Sequence, residues 1–250
     1  MFMSVTGAKP SASLYGELAG ARVLITGLSP SAGVDLARAF AEHKCRLVVQ
    51  TNGASPEIAE LAAVLAQSAS EMKLFTDPFA SSDEAMKFTQ NAAQGFSGLD
   101  VVVNLVRIER EDLAGRASLE DIEDLVTAKL SPAMAITQVA ANRMRLTWTK
   151  GLVLNVVSMA EPKTAAETAF AGILHASLAA ITRAEATKWA DQEIRINAVG
   201  PKGVPGDKPG GACLTSEPDI AALALYLASK KGRQLSGHVF DAEGVAGGGC

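Results

Sequence analysis

A glycine-containing loop near the start of the sequence has the residue types needed to bind a phosphate group. The segment Thr26-Gly27-Leu28-Ser29-Pro30-Ser31-Ala32-Gly33 follows a short apolar run and leads into an amphipathic helical pattern. A glycine turn at the head of a helix presents free backbone N–H groups and the positive end of the helix dipole, which suits a pyrophosphate. An ordinary strand-to-helix turn is the alternative, but the position after the first predicted strand favours a nucleotide site.

The elements that must position this loop follow from the hydrophobic pattern. Short runs rich in β-branched residues predict seven strands, at 22–26, 46–50, 72–76, 100–104, 152–157, 194–198 and 238–241. Helical patterns lie between them, at 32–43, 56–69, 81–95, 118–146, 164–190 and 217–229. Strands that are apolar on both faces are typical of a parallel sheet covered by helices. The sequence therefore predicts an α/β fold, a doubly wound parallel sheet with helices on both faces, and Pro132 is expected to kink the fourth helix.

The composition predicts one domain, residues 14–250, preceded by a mobile tail at residues 1–13. The net charge of −4 provides no broad basic field, so nucleic acid is not an expected partner. We find no stretch of membrane-spanning length and no secretory signal. The three cysteines and three histidines are too scattered for a disulfide framework or a zinc site. A cytoplasmic protein without a metal or a membrane partner is expected.

With these elements in place, the sequence resembles the short-chain dehydrogenase/reductases. That family carries Thr-Gly-x-x-x-Gly-x-Gly in the loop; Gly27 and Gly33 match its first and third glycines, and Ser29 matches a common serine. Ser31 stands where the middle glycine belongs, and Pro30 removes one N–H donor. The resemblance implies a Rossmann-type fold and a nicotinamide cofactor, NAD(P), on a loop that is inherited but impaired.

Further matches extend the resemblance over residues 14–244. Asp77 falls where the family has an aspartate that contacts adenine, although it suits a simple turn equally well. Asn104 is the one residue kept from the family's Asn-Asn-Ala-Gly segment, which residues 103–107 replace. Residues 194–201 follow the family's sixth-strand signature closely. The resemblance therefore implies cofactor contacts at Asp77 and Asn104 in addition to the glycine loop.

The choice between NAD and NADP depends on the end of the second strand. A carboxylate there would bind the ribose hydroxyls of NAD, and a nearby arginine would accept the 2′-phosphate of NADP. Gln50, Thr51 and Asn52 supply neither group. We expect weak binding of NAD(P), with NADP slightly favoured because the acid is absent.

The resemblance also implies a Ser–Tyr–Lys set assisted by an asparagine, and most of that set is replaced. In such a set the tyrosine gives or takes the proton, and the ammonium lowers its pKa from about 10 toward the working pH. Ser158 matches the serine, but Ala171 stands for the tyrosine and His175 for the lysine. Lys129 stands for the asparagine. The chain has two tyrosines, and neither falls near this position.

Ser158, His175 and Lys129 could still form a substitute site, with His175 as a general acid near neutral pH. Plain structural roles are the alternative: a turn cap for Ser158, a buried or interface position for His175 and a surface position for Lys129. The segment that would cover a substrate, residues 202–216, is short and rich in glycine and proline.

Three functional hypotheses follow from these replacements. The favoured one is a homologue that is defective in hydride transfer and acts by binding a nucleotide or another subunit. The alternative is an active NAD(P)-dependent oxidoreductase with a rebuilt Ser158/His175/Lys129 site. A nucleotide-free structural scaffold is the second alternative.

Two of the predicted helices, 118–146 and 164–190, contain long uncharged stretches. Residues 168–182 and residues 130–142 include no Asp, Glu, Lys or Arg. One face of each helix can pack on the sheet, which leaves the other as an apolar patch that monomers rarely expose. The family resemblance implies pairing through these helices, so we expect a homodimer or homotetramer, with a related family subunit as a further candidate partner. Charges at Leu174 or Leu178 are expected to disrupt this assembly.

Overall fold

Seven parallel strands form one sheet in the computed structural model, which describes residues 14–116, 118–203 and 213–243. The strand order is β3-β2-β1-β4-β5-β6-β7. The strands are β1 Arg22–Leu28, β2 Arg46–Thr51, β3 Glu71–Phe75, β4 Val101–Ile108, β5 Leu152–Met159, β6 Arg195–Pro201 and β7 Val239–Ala242. The predicted tail, residues 1–13, and residues 204–212 of the predicted short lid lie outside the described residues.

Helices cover both faces of this sheet. They are α1 Val34–Glu42, α2 Pro56–Ser68, α3 Ser82–Gly95, α4 Arg110–Leu113, α5 Leu119–Leu146, α6 Ala165–Trp189 and α7 Glu217–Ala228. The helices α1, α2 and α7 pack on one face, and α3, α5 and α6 pack on the other. This arrangement buries both faces of the central strands and confirms the predicted doubly wound α/β fold.

The structure differs from the predicted elements mainly at the carboxyl ends of the central strands. β4 continues to Ile108 and β5 to Met159, past their predicted ends at 104 and 157. A one-turn helix, α4, follows β4 and was not predicted. α5 remains one helix with Pro132 inside it. The longer β4 matters for function, because it brings Arg107 into the sheet beside the glycine loop.

α6 carries the positions where the family's tyrosine and lysine are expected. It begins at a capping box in which Thr164 accepts from the Glu167 N–H and the Glu167 carboxylate accepts from the Thr164 N–H. Phe170, Leu174 and Leu178 on its inner face are buried in the core. The inner face of α6 therefore packs on the sheet, as in a helix that flanks a Rossmann-type sheet.

The length and composition of α6 and the turn after it, Ala165–Gln192, would allow a membrane-spanning helix. The expectation that no stretch reaches this length is therefore wrong for this segment. The core helix of a soluble protein can pass the same test, and the buried inner face of α6 makes up about a third of the apolar window, 33% of which is buried.

A buried polar cluster ties β1, β4, β5 and α5 together just below the functional cleft. The Asn104 amide nitrogen donates to Asn155 Oδ1 at 2.8 Å and to the Ala133 carbonyl at 3.2 Å. The Thr26 hydroxyl donates to Asn104 Oδ1 at 3.0 Å, so the amide is bonded at both ends. Asn104, a predicted cofactor contact, is buried and fixes the strands that carry the site.

Replacing Asn104 with alanine is expected to lower the free energy of unfolding by about 2–4 kcal/mol, because the buried Thr26 hydroxyl loses its acceptor and Asn155 keeps only the hydrogen bond from the Thr137 hydroxyl. Asn91→Ala, at an exposed position of α3, is the matched control and should change it by less than roughly 0.5 kcal/mol. Urea unfolding at neutral pH measures both variants. An equal loss of unfolding free energy in Asn104→Ala and Asn91→Ala would contradict the structural role of Asn104.

Candidate functional site

The carboxyl ends of β1, β4 and β5 open into a cleft of about 350 Å³. β1 pairs with β2 on one side and with β4 on the other, so the order in which successive strands are added reverses at β1. Open α/β sheets bind ligands at such a switch point. The glycine loop forms one wall, and Ser158, Lys129 and Glu217 line the remainder. A groove of about 1160 Å³ lies at the amino ends of the strands, and none of the predicted site residues lines it. The cleft is therefore the candidate site.

The two retained glycines let the loop pack closely against β4. Their φ angles are +75° at Gly27 and +87° at Gly33, where a side chain would be strained. A Cβ at Gly27 would lie 2.2 Å from the Leu105 carbonyl oxygen, and a Cβ at Gly33 would lie 2.2 Å from Leu105 Cδ1. These contacts match the turn and packing roles of the first and third glycines in a nucleotide loop. The middle glycine, which lets a phosphate approach, is Ser31.

Ser31 is held by a guanidinium group at the front of the loop. A terminal nitrogen of Arg107 donates to Ser31 Oγ, and the Arg107 Nε lies 2.6 Å from Glu109 Oε1. Arg107 stands at the position of the final glycine in the family's Asn-Asn-Ala-Gly segment, and it lines the cleft. Side chains therefore occupy two positions that are glycine in the family pattern.

The backbone donors of the loop are largely bonded within the chain. The Gly27 N–H donates to Gln50 Oε1 at 2.9 Å. Ser29 and Ala32 exchange two backbone hydrogen bonds, of 3.0 and 3.2 Å. Pro30 has no N–H to offer. The first half of the glycine loop therefore has few backbone N–H groups that are free to bind a phosphate.

Gln50, at the end of β2, connects the loop to the segment after β3. Its side chain is buried, and its Nε2 donates to the Asp77 carbonyl at 2.9 Å and to Asn52 Oδ1 at 3.2 Å. Asp77 is exposed and does not line the cleft, so only its backbone takes part. The end of β2 offers a bonded amide where a ribose-binding carboxylate would stand in NAD-binding proteins.

A carboxylate lies at the head of α1. Glu217, the first residue of α7, accepts a hydrogen bond from the Asp35 N–H at 2.7 Å. Burial raises the pKa of the Glu217 carboxyl, while hydrogen bonds from the backbone of Asp35, Leu36 and Gly33 act to lower it. Glu217 was predicted only as the first residue of a helix and not as a site residue.

Ser158 and Lys129 line the same cleft, as the substitute site requires. The Lys129 ammonium lies 2.6 Å from Asp112 Oδ2 on α4. Burial acts to raise the pKa of Asp112, but hydrogen bonds from Lys129 and from the Glu109 N–H outweigh it and hold the pKa below its usual value. Lys129 is therefore held in an ion pair at the rim of the cleft.

His175 lies elsewhere, at the ends of β6 and β7. Its Nδ1 is 3.0 Å from the Pro201 carbonyl oxygen and 3.5 Å from Asp241 Oδ1, and it does not line the cleft. Ala171, at the expected tyrosine position, is buried in the core. The structure therefore brings Ser158 and Lys129 to one cleft and directs His175 away from it.

Thiol and metal chemistry have little support in the described chain. Burial raises the pKa of the Cys45 thiol to about 12, so it stays protonated at neutral pH. Within residues 14–116, 118–203 and 213–243, no group of three His, Cys, Asp or Glu side chains could hold a metal ion.

A Rossmann-type sheet with a glycine loop at its switch point defines a class of nucleotide-binding proteins. The sequence model of the short chain dehydrogenase family matches residues 21–208, and the chain belongs to this family. Nodulation protein G of Rhizobium sp. (strain N33) is 23% identical over 244 residues, which cover 91% of this chain and 97% of that protein. A 3-oxoacyl-[acyl-carrier-protein] reductase of Synechocystis sp. is 25% identical over 202 residues, 81% of each chain. The chain is thus homologous to oxidoreductases.

Solved structures share the fold. A short-chain dehydrogenase/reductase from Serratia marcescens gives a TM-score of 0.71 at 14% identity and covers 92% of this chain and 99% of its own. The NADH-dependent reductase A1-R′, in complex with NAD, gives 0.70 at 20% identity and covers 94% and 99%. At these identities the likeness shows the fold alone.

The residues present do not form a ready site for the NAD(P) that this family generally binds. Ser31 and Arg107 occupy positions that are glycine in the family pattern, and the Asp35 N–H is bonded to Glu217. The end of β2 lacks a carboxylate for the ribose. The altered loop and strand end were predicted from the sequence, whereas Arg107 and Glu217 were not predicted as site residues. The arginine at a position that is glycine in the family pattern could have identified Arg107. No local sequence signal marks Glu217 as a site residue.

Proposed function

We propose that this short-chain dehydrogenase homologue is defective in hydride transfer and acts by binding protein subunits. The observation that carries the proposal is the pair Ala171 and His175. A buried methyl group stands where the proton donor is expected, and the imidazole lies at the Pro201 carbonyl instead of facing the cleft. A positioned acid–base group typically contributes about 10²- to 10⁴-fold in rate. Ser158 can hold a substrate oxygen, but it does not replace that donor.

An active enzyme with a rebuilt site is the second candidate, and one observation favours it. Ser158 and Lys129 line the same cleft. Lys129 would have to supply the proton while paired with Asp112, and His175 would have to leave Pro201 to take part. The geometry therefore supports this candidate less well than the first.

We propose that nicotinamide cofactors bind weakly, with NADP slightly favoured over NAD. The side chains of Ser31 and Arg107 narrow the space through which a cofactor phosphate would reach the glycine loop. The missing carboxylate at the end of β2 removes the contact that selects NAD, and the uncharged Asn52 lines the cleft there. The preference for NADP is small because no arginine replaces the acid at this strand end.

The surface formed by α5 and α6 supports subunit binding. A groove of about 440 Å³ crosses it, and uncharged residues line it: Val126, Thr127, Leu130, Ser131, Met134, Ala135, Gln138, Ser177 and Ile181. Leu174 and Leu178 are fully buried against the sheet, so charges there would disrupt the core instead of an interface. Met134 and Ile181 are the better test positions. We propose a homodimer or homotetramer through this face, which would also suit a related family subunit.

The first prediction concerns activity. We expect no measurable NAD(P)H oxidation with generic ketones, aldehydes and acetoacetyl thioesters, because no tyrosine supplies the proton. Ala171→Tyr combined with His175→Lys should stay far below ordinary family rates, since Arg107 still occupies the cleft. Wild-type turnover that Ser158→Ala abolishes would establish the rebuilt site instead.

The second prediction concerns cofactor affinity. Calorimetry should give a Kd of about 0.1 mM or weaker for NADPH and NADH, which corresponds to a binding free energy of about −5.5 kcal/mol or less favourable. Ser31→Gly removes the hydroxyl that Arg107 holds and should tighten binding. Low-micromolar affinity of the wild type for either cofactor would refute weak binding.

The third prediction concerns assembly. Sedimentation should show a dimer or tetramer at micromolar concentration, with more than roughly 1,000 Å² buried in total. Ile181→Glu and Met134→Glu should shift it toward the monomer, because each places a charge in the uncharged groove. Val64→Glu changes an exposed valine on α2 and serves as the matched control. A monomeric wild type would rule out the interface.

A further inference from the structure

Glu217 is placed where a ligand phosphate binds in related folds. In a Rossmann-type protein the pyrophosphate sits at the N-terminus of the first helix, where N–H groups and the helix dipole favour negative charge. Here α7 begins at Glu217, and its carboxylate reaches across to the head of α1. The Asp35 N–H donates to Glu217 Oε1 at 2.7 Å. The backbone of Leu36 and Gly33 acts on the same carboxylate to lower its pKa, against the opposing effect of burial.

Glu217 lines the cleft, and the first turn of α7 that carries it packs against α1 in the core. Glu217 and Ile220 from α7 line the cleft beside Gly33 and Leu36 from α1. Ile220 and Leu36 belong to the same buried cluster, so the first turn of α7 is fixed against α1. The position of Glu217 therefore follows from packing and does not depend on a free side chain finding the loop.

The charged side chains near the cleft would not neutralise a second anion that entered beside Glu217. Arg107 lies against Glu109, and Lys129 lies against Asp112. Asp35, in the first turn of α1, adds another negative charge close to Glu217. A phosphate that entered beside Glu217 would meet like charge without a free cation among the described lining residues.

We infer that Glu217 is an internal anion that takes the place of the pyrophosphate and closes this site to dinucleotides. The carboxylate accepts from the Asp35 N–H, a donor that a pyrophosphate at the head of α1 would use, so an entering pyrophosphate must displace it. The inference gives a physical cause for the weak affinity in the proposed function. It does not depend on the catalytic or assembly parts of that function.

Removing the carboxylate should therefore create an anion site. We compare the thermal unfolding of wild-type protein and Glu217→Ala in sodium pyrophosphate, with sodium chloride at matched ionic strength. Glu217→Ala should unfold at a lower temperature than wild type, and pyrophosphate at about ten times its Kd should raise its Tm by roughly 3 °C or more. The wild type should show no rise beyond the chloride control. Calorimetry with NADPH should show at least about tenfold tighter binding to the variant.

A matched control separates loss of a helix cap from creation of an anion site. The Ser81 hydroxyl caps α3 by accepting from the Glu84 N–H at 3.3 Å, on another helix of the same chain. Ser81→Ala should also lower the Tm, but pyrophosphate should not restore it. Glu217→Gln keeps the size and the acceptor oxygen without the charge, and it should gain pyrophosphate stabilisation if Glu217→Ala does not fold.

Two outcomes would overturn the inference. Pyrophosphate could stabilise the wild type as strongly as it stabilises Glu217→Ala or Glu217→Gln. Alternatively, neither variant could gain any stabilisation by pyrophosphate over the chloride control. Neither outcome alters the NAD(P)H oxidation or sedimentation tests, so failure of this inference remains distinct from failure of the proposed catalytic defect and assembly.

Discussion

The backbone N–H groups at the head of α1 impose the constraint on which this structure depends. The first turn of a helix presents donors that have no partner within the helix, and a buried donor must find one. In a nucleotide-binding sheet the phosphates of the ligand supply the acceptors. In this chain the Glu217 carboxylate does so for Asp35, and the Gln50 amide does so for Gly27 just before it. Side chains of the protein itself thus accept the hydrogen bonds of these two N–H groups.

The changes in the cleft and on α6 are consistent with each other. A proton donor is useful only beside a bound cofactor and substrate, and Ala171 and His175 have replaced the expected donor and its partner. Arg107 lines the cleft at a position that is glycine in the family pattern. The Asn104 cluster, in contrast, does not contact the cleft and holds the strands together by itself. Under the proposed function, the fold of the family persists here without its chemistry.

Much of the fold could be predicted because β-branched apolar runs identify buried parallel strands from local sequence. β1, β2 and β5 begin at the predicted residues, Arg22, Arg46 and Leu152. The carboxyl half of β4 was missed because Arg107 and its polar neighbours resemble a loop when read locally. The contact of Glu217 with Asp35 joins residues 182 positions apart and leaves no periodic signal. The same limit applies to Leu174, because composition alone did not separate the sheet-facing side of α6 from its outer side.

The proposal that the nucleotide site is closed is tested most directly by amide NMR spectra of the wild-type protein during a titration with NADPH. The backbone amides of Gly27, Gly33 and Asp35 report on the donors that a pyrophosphate would use. We expect these three resonances to remain in place until the NADPH concentration reaches about 0.1 mM or more. Shifts of all three that saturate at low-micromolar NADPH would contradict the closed site, because the donors would then be available to the cofactor.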